Sequence, residues 1–245
     1  MDALNDLKVR QALCETHGAF EARRWFNDLW SECPACAKAE RDRSKAEARE
    51  AQRAEFIANA VRESGLIGRF RQSTLAAFTA TTREQRKAVR MCQEFAAAAT
   101  PNSWSTLTLI GQPGTGKTHL GAGMVLDVIS REKWAQYTTF RDLIRTLRST
   151  WRRDSDKTEE EVINSFAGGA LLVIDEIGVG FGTEAEAAQL FDVIDRRYQW
   201  GNPVVLISNL AIPEMRLALG DRLYDRIRES GQVVPCTWPS HRGTP

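Results

Sequence analysis

Hydrophobic residues along this chain follow two different patterns, which meet near residues 65–70. Beyond residue 70, short apolar runs alternate with longer segments in which apolar residues recur every three or four positions. The short runs predict buried strands, and the longer segments predict helices that pack on them. This alternation is typical of an α/β domain with a parallel sheet. We predict strands at residues 107–110, 136–140, 171–174, 204–208 and 232–237, and helices at residues 83–98, 118–131, 140–152, 184–200 and 221–229.

The part of the chain before residue 70 has a different composition. At residues 38–63, acidic and basic side chains interleave with alanines, and neither glycine nor proline occurs. This pattern predicts a solvated helix, which Gly65 and Gly68 terminate. Residues 1–37 show no regular hydrophobic pattern and carry aromatic and cysteine side chains. The predicted domains are therefore a small module at 1–37, a helical partner-binding segment or linker at 38–68, and an α/β domain at 69–245.

Composition narrows the class of protein without identifying it. The chain has 245 residues, 42% hydrophobic and 27% charged, which is ordinary for a globular protein. With a formal net charge of +1, any surface for nucleic acid must be a local patch. No segment approaches the ~20 apolar residues of a membrane helix, and the N-terminus lacks signal-peptide character. Five cysteines suit a reducing compartment, so we expect a cytoplasmic protein with no membrane partner.

The segment from Gly111 to Thr118 matches the pattern G-x-x-x-x-G-K-[ST] without a gap. It follows a predicted strand and precedes a predicted helix, which is the context that a phosphate loop requires. In such a loop, backbone N–H groups face the β- and γ-phosphates, Lys117 reaches the same oxygens, and the Thr118 hydroxyl ligates Mg²⁺. The alternative is a glycine-rich turn with no ligand. The predicted nucleoside triphosphate site comprises Gly111, Gln112, Pro113, Gly114, Thr115, Gly116, Lys117 and Thr118.

Two acidic residues, Asp175 and Glu176, follow the apolar run at residues 170–174. An unbroken apolar run predicts a strand that is buried on both faces of a parallel sheet. An acid at the end of such a strand can hold Mg²⁺ beside the phosphate loop, which we assign to Asp175. Glu176 is then expected to orient or deprotonate the attacking water. The alternative is an acidic turn after a buried strand, but together with Lys117 the pair favours hydrolysis.

The N-terminal module carries Cys14-x-x-His17 and Cys33-x-x-Cys36. Two ligand pairs with a short connection can close one tetrahedral site, and three thiolates with one imidazole suit Zn²⁺. We therefore predict a zinc site formed by these four residues. The alternative is a set of unrelated cysteines and a surface histidine; a redox Cys-x-x-Cys is disfavoured because no thioredoxin-like βαβ pattern surrounds it.

Arginines recur at three- and four-residue spacing in the predicted helix at 140–152, so one face of the helix is expected to carry them. Clustered guanidinium groups contact phosphates, and a neighbouring aromatic side chain can stack on an unpaired base. The alternative is a solvated basic face that pairs with nearby acids. The predicted surface for single-stranded DNA comprises Arg141, Arg145, Arg148, Trp151 and Arg152.

Three segments together resemble the DnaC-type helicase loaders, which are AAA+ ATPases of bacterial and phage replication related to the DnaA initiator and the IstB transposition ATPases. The segments are Gly114–Leu120 in the phosphate loop, residues 171–179 around the acidic pair, and the arginine-rich residues 220–228. The likeness extends from about residue 65 and includes the terminal Trp238-Pro-Ser-His-Arg242. A phosphate loop alone is shared by many families, whereas its combination with the arginine-rich segment is selective.

The resemblance implies a fold and further roles. It implies an AAA+ P-loop NTPase with a five-stranded parallel sheet that lacks the C-terminal helical lid. Asn209 corresponds to the sensor that hydrogen-bonds the γ-phosphate or the water, although an asparagine turn is the alternative. An arginine finger for the ATP of a neighbouring subunit lies among Arg222, Arg226 and Arg228, and Arg226 is the best match.

The resemblance implies an Mg²⁺-dependent ATPase. It also implies that the protein binds the DnaB-type replicative helicase and single-stranded DNA, and that it loads the helicase at an origin or fork. Assembly as an ATP-dependent homo-oligomer or a helicase-bound ring follows from the same resemblance. Two alternatives stay open at this point: an IstB-like transposition helper, and a nucleotide-switched adaptor that hardly hydrolyses ATP. A small-molecule kinase would leave the arginine-rich segment without a purpose.

Overall fold

The computed structural model describes residues 8–24, 29–178 and 183–241. Val179 and Arg242, which belong to two of the resembling segments, lie outside the described residues. The chain divides into two compact units between Glu55 and Phe56. The boundaries that we predict at residues 37 and 68 stay predictions.

The N-terminal unit contains an antiparallel hairpin and most of a long helix. Strands β1 (Val9–Cys14) and β2 (Gly18–Arg23) pair in register across a tight turn, and α1 spans Pro34–Glu63. The helix therefore begins four residues before the predicted start, because Pro34 is well tolerated in a first helical turn. Among the described residues of this unit, only Ala22 and Cys33 are buried hydrophobic residues, so the described part of the unit has little apolar core.

The C-terminal unit is built on a five-stranded parallel sheet, as predicted. The strand order is β4-β5-β6-β3-β7, and every neighbouring pair is parallel. Parallel neighbours require crossover connections, so all strands end at the same edge of the sheet. The strands are β3 (Thr106–Gly111), β4 (Ala135–Thr139), β5 (Leu171–Ile177), β6 (Val204–Ser208) and β7 (Gly231–Cys236).

Alternate residues of the strands face two separate hydrophobic layers. Leu171 and Val173 pack in one layer together with residues of the first two helices of this unit, whereas Leu172 and Ile174 pack in the other with the remaining helices. This period of two is the geometry of a pleated strand. The first layer is covered by α2 (Arg83–Ala98) and α3 (Lys117–Ser130), and the second by α4 (Phe140–Ser149), α5 (Glu159–Ala167), α6 (Glu184–Gln199), α7 (Ile212–Leu219) and α8 (Asp221–Glu229).

Two helices, α5 and α7, are absent from the sequence-based prediction. Helix α5 starts with a capping box in which the Thr158 hydroxyl accepts the backbone N–H of Glu161, and the Glu161 carboxylate accepts the backbone N–H of Thr158. The sequence suggested only pairing with the arginines of α4 for acids in this segment, as the alternative to a DNA surface, so a capping role for Glu161 was not predicted. The capping box also lowers the pKa of Glu161, through the Thr158 backbone N–H first.

Helix α4 ends at Ser149, three residues earlier than predicted. The hydroxyls of Ser149 and Thr150 donate to the carbonyls of Thr146 and Leu147, both at 2.7 Å. Such local bonds compete with continuation of the helical ladder. Arg152 therefore lies beyond the helix instead of on its face.

Arg197 in α6 is fully buried, and none of the described carboxylates pairs with it. Its guanidinium donates to the carbonyl oxygens of residues 166–169, at 2.8–3.3 Å, and its Nε and Nη2 atoms both donate to the carbonyl oxygen of Pro203. Burial lowers the pKa of Arg197, while the carbonyl dipoles offset the loss of water around the charge. The Arg197 side chain thus links the segment before β5 with the segment before β6.

In the described part of the chain, no helix is both long and apolar enough to cross a membrane.

Candidate functional site

The phosphate loop connects the end of β3 to the start of α3. Gly116 precedes the helix in the left-handed conformation, with φ 89°. A Cβ atom at Gly116 would lie 2.6 Å from the Phe78 ring, and one at Gly111 would lie 2.2 Å from the carbonyl oxygen of Cys236. Both positions therefore require glycine, Gly116 for its conformation and its contact and Gly111 for the close approach of backbone.

Lys117 is the first residue of α3 and is only 6% exposed. Its Nζ atom donates to the carbonyl oxygens of Gly111, at 2.7 Å, and Gln112, at 2.9 Å. The ammonium is thus held against the loop and beside the N-terminus of a helix, where backbone N–H groups also attract anions. A phosphate bound in this loop would meet a buried cation and several oriented N–H donors.

Asp175 links the phosphate loop to β5. Its carboxylate is buried, and Oδ2 lies 2.7 Å from the Thr118 hydroxyl, which donates to it. Oδ1 accepts the backbone N–H of Glu176 at 2.6 Å. A hydroxyl and a carboxylate at hydrogen-bond distance form the hard oxygen set that Mg²⁺ prefers. The residues present therefore fit a magnesium ion at Thr118 and Asp175.

Tyr137 is a residue of this site that the sequence analysis missed. Its hydroxyl donates to Oδ2 of Asp175 at 2.8 Å. Burial, followed by the charge of Asp175, raises the pKa of Tyr137, so the phenol keeps its proton and acts as a donor. Only the pairing of β4 with β5 brings the two residues together, and the sequence alone does not give that pairing.

Glu176 and Asn209 lie at the same edge of the sheet as the phosphate loop. Glu176 is exposed and has a φ of 62°, and the register of β5 with β6 shifts between Ile174 and Ile177. Strand β5 therefore includes both acids, with an irregularity where we predicted an end. Asn209 is exposed and directly follows β6, whose last residue pairs with Ile110 of β3.

The segment after β7 also contacts the phosphate loop. The buried Trp238 donates its indole Nε1–H to the carbonyl oxygen of Thr115 at 2.8 Å, and the backbone N–H of His241 donates to the carbonyl oxygen of Gly114 at 2.9 Å. Holding these two carbonyls fixes the orientation of two peptide planes in the loop. In the sequence, Trp238 lies in a segment that resembles the DnaC-type loaders, but no role was predicted for it.

Arg226 is held by α6 of its own chain. Its Nε atom lies 3.4 Å from Oδ1 of Asp195, and its guanidinium lies 3.9 Å from the centre of the Tyr198 ring. Arg222 lies over the Phe191 ring at 4.3 Å. The acid within ion-pair distance of Arg226 therefore belongs to α6 and not to α8.

Four of the five residues predicted to bind DNA line one cleft of about 520 Å³, and they differ in their surroundings. Arg145 pairs with Asp142 at 3.0 Å, and Arg148 pairs with Glu186 at 2.8 Å. Trp151 is 61% exposed and lies outside the lining of the cleft, and its Nε1–H donates to Glu159 at 3.1 Å. The residues that line the cleft are Phe140, Arg141, Ile144, Arg145, Arg148, Ser149, Arg152 and Glu186.

The N-terminal unit brings Cys14, His17, Cys33 and Cys36 together, with their ligand atoms all within 4.8 Å of one another. The Sγ atoms of Cys14 and Cys36 lie 3.5 Å apart, and His17 Nδ1 lies 3.3–3.7 Å from the three sulfurs. A tetrahedral zinc site with Zn–S bonds of about 2.3 Å separates its sulfurs by about 3.8 Å. The arrangement therefore fits a tetrahedral metal ion.

The thiols of this Cys/His cluster differ in acidity. Backbone hydrogen bonds from His17 and Thr16 lower the pKa of Cys14 to about 6. The hydrogen bond with Cys14 raises the pKa of Cys36 to about 11. A thiolate beside a thiol is a favourable starting point for metal binding, since a metal replaces the remaining protons. Cys92 and Cys236 are buried in the other unit, as predicted.

A phosphate loop after an interior parallel strand, with a buried aspartate two strands away in the same sheet facing the loop hydroxyl, defines the class of P-loop nucleotide-binding α/β proteins. The model for "IstB-like ATP binding protein" matches residues 48–243. The chain therefore belongs to the family of IstB-like ATP binding proteins.

Three comparisons describe what the chain is similar to. The replicative helicase loader DnaC of Escherichia coli K12 is 35% identical over 133 residues, which is 54% of either chain. The chain thus matches about half the length of such curated relatives. A crystal structure of the DnaC helicase loader covers 69% of this chain and 99% of its own, with a TM-score of 0.63 and 18% identity. A structure of the replication initiator DnaA bound to AMPPCP and single-stranded DNA covers 67% and 49%, with a TM-score of 0.59 and 21% identity. The chain thus shares its fold with these DnaC and DnaA structures.

Proposed function

We propose that the phosphate-loop site binds ATP with Mg²⁺ and hydrolyses it. The observation that carries this proposal is the 2.7 Å hydrogen bond between Thr118 and Asp175 beside the buried Lys117. Lys117 neutralises the β- and γ-phosphate oxygens, while Thr118 and Asp175 hold the metal, which when bound supplies positive charge to the phosphates. Glu176 accepts the proton of the attacking water or orients it, and Asn209 hydrogen-bonds the water or the γ-phosphate.

The test replaces Glu176 by Gln, which keeps the shape of the side chain and removes its basicity. ATP affinity should stay at the parent value while turnover falls by roughly 10²–10⁴-fold, the usual contribution of a general base. The matched control is Glu47→Gln, in the exposed part of α1. Turnover at the parent rate in the Glu176 variant would exclude this residue as the catalytic carboxylate.

Arg226 is proposed to act as an arginine finger toward the ATP of a neighbouring subunit. A guanidinium offers fixed donors to phosphate oxygens and never loses its charge. In the single chain it contacts Asp195 and Tyr198, so the proposal requires an exchange of partners on assembly. Arg226→Ala should bind ATP but neither hydrolyse it nor oligomerise. Mixing it with Glu176→Gln should restore some turnover if the finger acts in trans, and no recovery would count against that.

The function that the site and the likeness support best is that of an ATP-dependent helicase loader in DNA replication. Support comes from the 35% identity to the DnaC loader and from the match in fold. The partner would be a DnaB-type replicative helicase, and the assembly an ATP-dependent oligomer or a ring on the helicase. The decisive measurement is co-purification with that helicase, followed by ATP-dependent transfer of the helicase to single-stranded DNA. Failure to bind any replicative helicase would reject this function.

Single-stranded DNA is proposed to bind at the cleft on α4. Arg141, Arg145, Arg148 and Arg152 supply positive charge there, and Trp151 lies close by in sequence with an exposed ring. Arg145→Glu/Arg148→Glu should weaken binding, and the deficit should shrink as salt rises because the contacts are to phosphates. Trp151→Ala should cost ~1–3 kcal/mol if the indole stacks on a base. Unchanged affinity in the double variant would mean that the face is only solvated.

The Cys/His cluster is proposed to hold one Zn²⁺, and the N-terminal unit to contact the helicase. Three sulfurs and one imidazole nitrogen at tetrahedral distances support the metal assignment. Metal analysis should find one zinc per chain, and Cys33→Ser/Cys36→Ser should lose it. A fragment starting at residue 70 tests the contact: it should lose helicase binding.

An IstB-like transposition helper is the second candidate, favoured by the family match over residues 48–243. Such a protein shares the ATP site but acts on a transposase instead of a helicase. The transposition-helper function would be favoured if the protein bound a transposase encoded near its own gene and did not bind a replicative helicase. Measuring ATP hydrolysis distinguishes a nucleotide-switched adaptor from the helicase loader and the transposition helper. The adaptor would bind ATP without hydrolysing it, whether or not single-stranded DNA is present.

A further inference from the structure

The exposed face of α2 carries four cations, Arg83, Arg86, Lys87 and Arg90, which together line a surface recess of about 420 Å³. The opposite face of the helix is buried in the sheet layer through Ala88, Cys92 and Phe95, so the packing fixes which residues face outward. We name the four cations the α2 basic face.

Local energetics do not favour this arrangement. The four residues are spaced three or four apart, so each is next to at least two like charges on the helix surface, and such pairs destabilise a helix. Three of the four lie near the helix N-terminus, where the backbone dipole favours anions. Glu84 and a 3.9 Å ion pair between Arg90 and Glu94 offset only part of this repulsion.

The α2 basic face differs from the arginine cleft on α4 in its counter-ions. On α4, Arg145 and Arg148 each pair with a carboxylate of the same chain. In the described residues, Arg83, Arg86 and Lys87 have no carboxylate oxygen within 4.0 Å, and Arg86 donates only to backbone carbonyls of residues 80 and 81. Three of the four cations of the α2 basic face therefore have no carboxylate partner among the described residues.

The two basic faces also belong to opposite layers of the C-terminal unit. Helix α2 packs in the layer that contains α3, whereas α4 packs in the layer on the other side of the sheet. The α2 basic face is consequently a second surface, separate from the cleft proposed for single-stranded DNA.

We propose that the α2 basic face binds the phosphate backbone of double-stranded DNA. From Arg83 to Arg90 the helix rises about 10.5 Å, at 1.5 Å per residue. A duplex carries one charge per ~1.7 Å of its axis with both strands counted, so about six phosphates lie along this length. Arg83, Arg86 and Lys87 have no carboxylate partner among the described residues and Arg90 has one at 3.9 Å, so most of the positive charge is available to such a backbone. The described residues that line the recess are all cations, so it lacks the aromatic stacking surface that binding of a single strand uses. Contacts to phosphates carry no sequence information, so binding is independent of base sequence and of ATP.

The test measures duplex binding by fluorescence anisotropy with the full chain, across a series of salt concentrations. In Arg83→Gln/Lys87→Gln/Arg90→Gln, duplex affinity at low salt should fall at least tenfold. The slope of log K against log salt should decrease by about 0.9 for each phosphate contact removed. Affinity for single-stranded DNA and for ATP should stay within twofold. Since glutamine favours helix and the variant removes like-charge pairs, its melting temperature should equal or exceed that of the parent.

Two controls separate position from charge. Arg41→Gln/Lys45→Gln/Arg49→Gln removes the same charge from exposed positions of α1 and should leave duplex affinity unchanged. Arg83→Lys/Arg90→Lys keeps the charge and should retain most of the binding. Parent-like duplex affinity in the triple α2 variant would overturn the proposal, and so would an equal loss in the α1 control.

Polyglutamate and anionic lipid vesicles are the competing ligands. If either binds the parent as tightly as duplex does at equal salt, and loses binding equally in the triple variant, the assignment to DNA is wrong. The single-strand measurement on the Arg145→Glu/Arg148→Glu variant is independent of this result, so the α4 proposal and the α2 proposal can fail separately.

Discussion

In the C-terminal unit, Thr118 and Asp175 are in contact although they lie 57 positions apart in the sequence. In the N-terminal unit, Cys14 and Cys36 are in contact and lie 22 positions apart. The first pair is placed by a parallel sheet whose strands are buried on both faces. The second pair is placed by a two-stranded hairpin and the first turn of a helix, with Ala22 and Cys33 as the buried hydrophobic residues among those described. The two sites thus obtain their geometry from different sources.

This difference decides what each site needs in order to form. Packing of the sheet layers brings Lys117, Asp175 and Tyr137 together, so the ATP site is preorganised by the fold. In the described part of the N-terminal unit, only Ala22 and Cys33 are buried hydrophobic residues, and small domains with little apolar core rely on metals or disulfides for stability. We therefore expect the C-terminal unit to form its ATP site before the nucleotide binds. We expect the fold of the N-terminal unit, in contrast, to depend on the metal bound at the Cys/His cluster.

Removing the metal should have the largest effect and should be confined to the N-terminal unit. Structural zinc contributes about 10–16 kcal/mol in small zinc-finger peptides, which is more than this unit can replace. Chelation, or Cys33→Ser/Cys36→Ser, should make residues 8–33 sensitive to protease while ATP affinity stays unchanged. Protease resistance of the metal-free hairpin would show that the fold there does not depend on the ligand.

Replacing Arg197 by Met should have the converse effect on the C-terminal unit. The change removes a donor from the carbonyls of residues 166–169 and Pro203, although Asn202 still donates to Ala167 and the Leu172 N–H to Pro203. Each buried carbonyl that is left unpaired costs ~1–3 kcal/mol. We expect a loss of roughly 3–5 kcal/mol in the free energy of unfolding, measured by denaturant titration, with zinc content unaltered. Arg197→Lys should retain part of the stability because it keeps a donor; equal stability of the Met variant would contradict this account.

Lys117→Ala should abolish most ATP binding and leave the zinc content of the N-terminal unit unchanged. Truncating one member of a buried, hydrogen-bonded charge pair costs about 2–5 kcal/mol, which corresponds to a loss of at least roughly 30-fold in affinity. Calorimetric titration with ATP measures the loss, and metal analysis of the same sample should give the parent zinc content. Retained ATP affinity would mean that the ammonium does not face the phosphates.

Tyr137→Phe should have the smallest effect and tests how finely the sheet arranges its site. The variant removes one hydrogen bond to Asp175, worth about 0.5–1.5 kcal/mol. We expect a rise of roughly two- to tenfold in the Mg²⁺ concentration needed for tight nucleotide binding, with binding in the absence of Mg²⁺ unchanged. Tyr198→Phe, whose hydroxyl lies 3.5 Å from Glu229, is the control. An equal shift in both variants would assign the effect to packing.

The sequence was sufficient for those parts of the structure that depend on local patterns. The five strands and the helices flanking the phosphate loop follow from hydrophobic spacing, and Lys117 and Asp175 follow from a motif and a strand end. Tyr137, Arg197 and Trp238 could not be assigned because their partners depend on strand pairing and on chain crossings that no local pattern encodes. Helix α5 is different: the Thr158 and Glu161 pair was a usable capping signal that we interpreted as surface charge.

Contact of Trp238 with the phosphate loop has a consequence for synthesis of the protein. Thr115 leaves the ribosome 123 residues before its partner Trp238, and β7, which pairs with β3, is also made late. A nascent chain that already contains the complete nucleotide motif therefore lacks both the neighbouring strand and the indole that orients the motif. Competence to bind ATP should arise only after translation has passed residue 238, as a single late event.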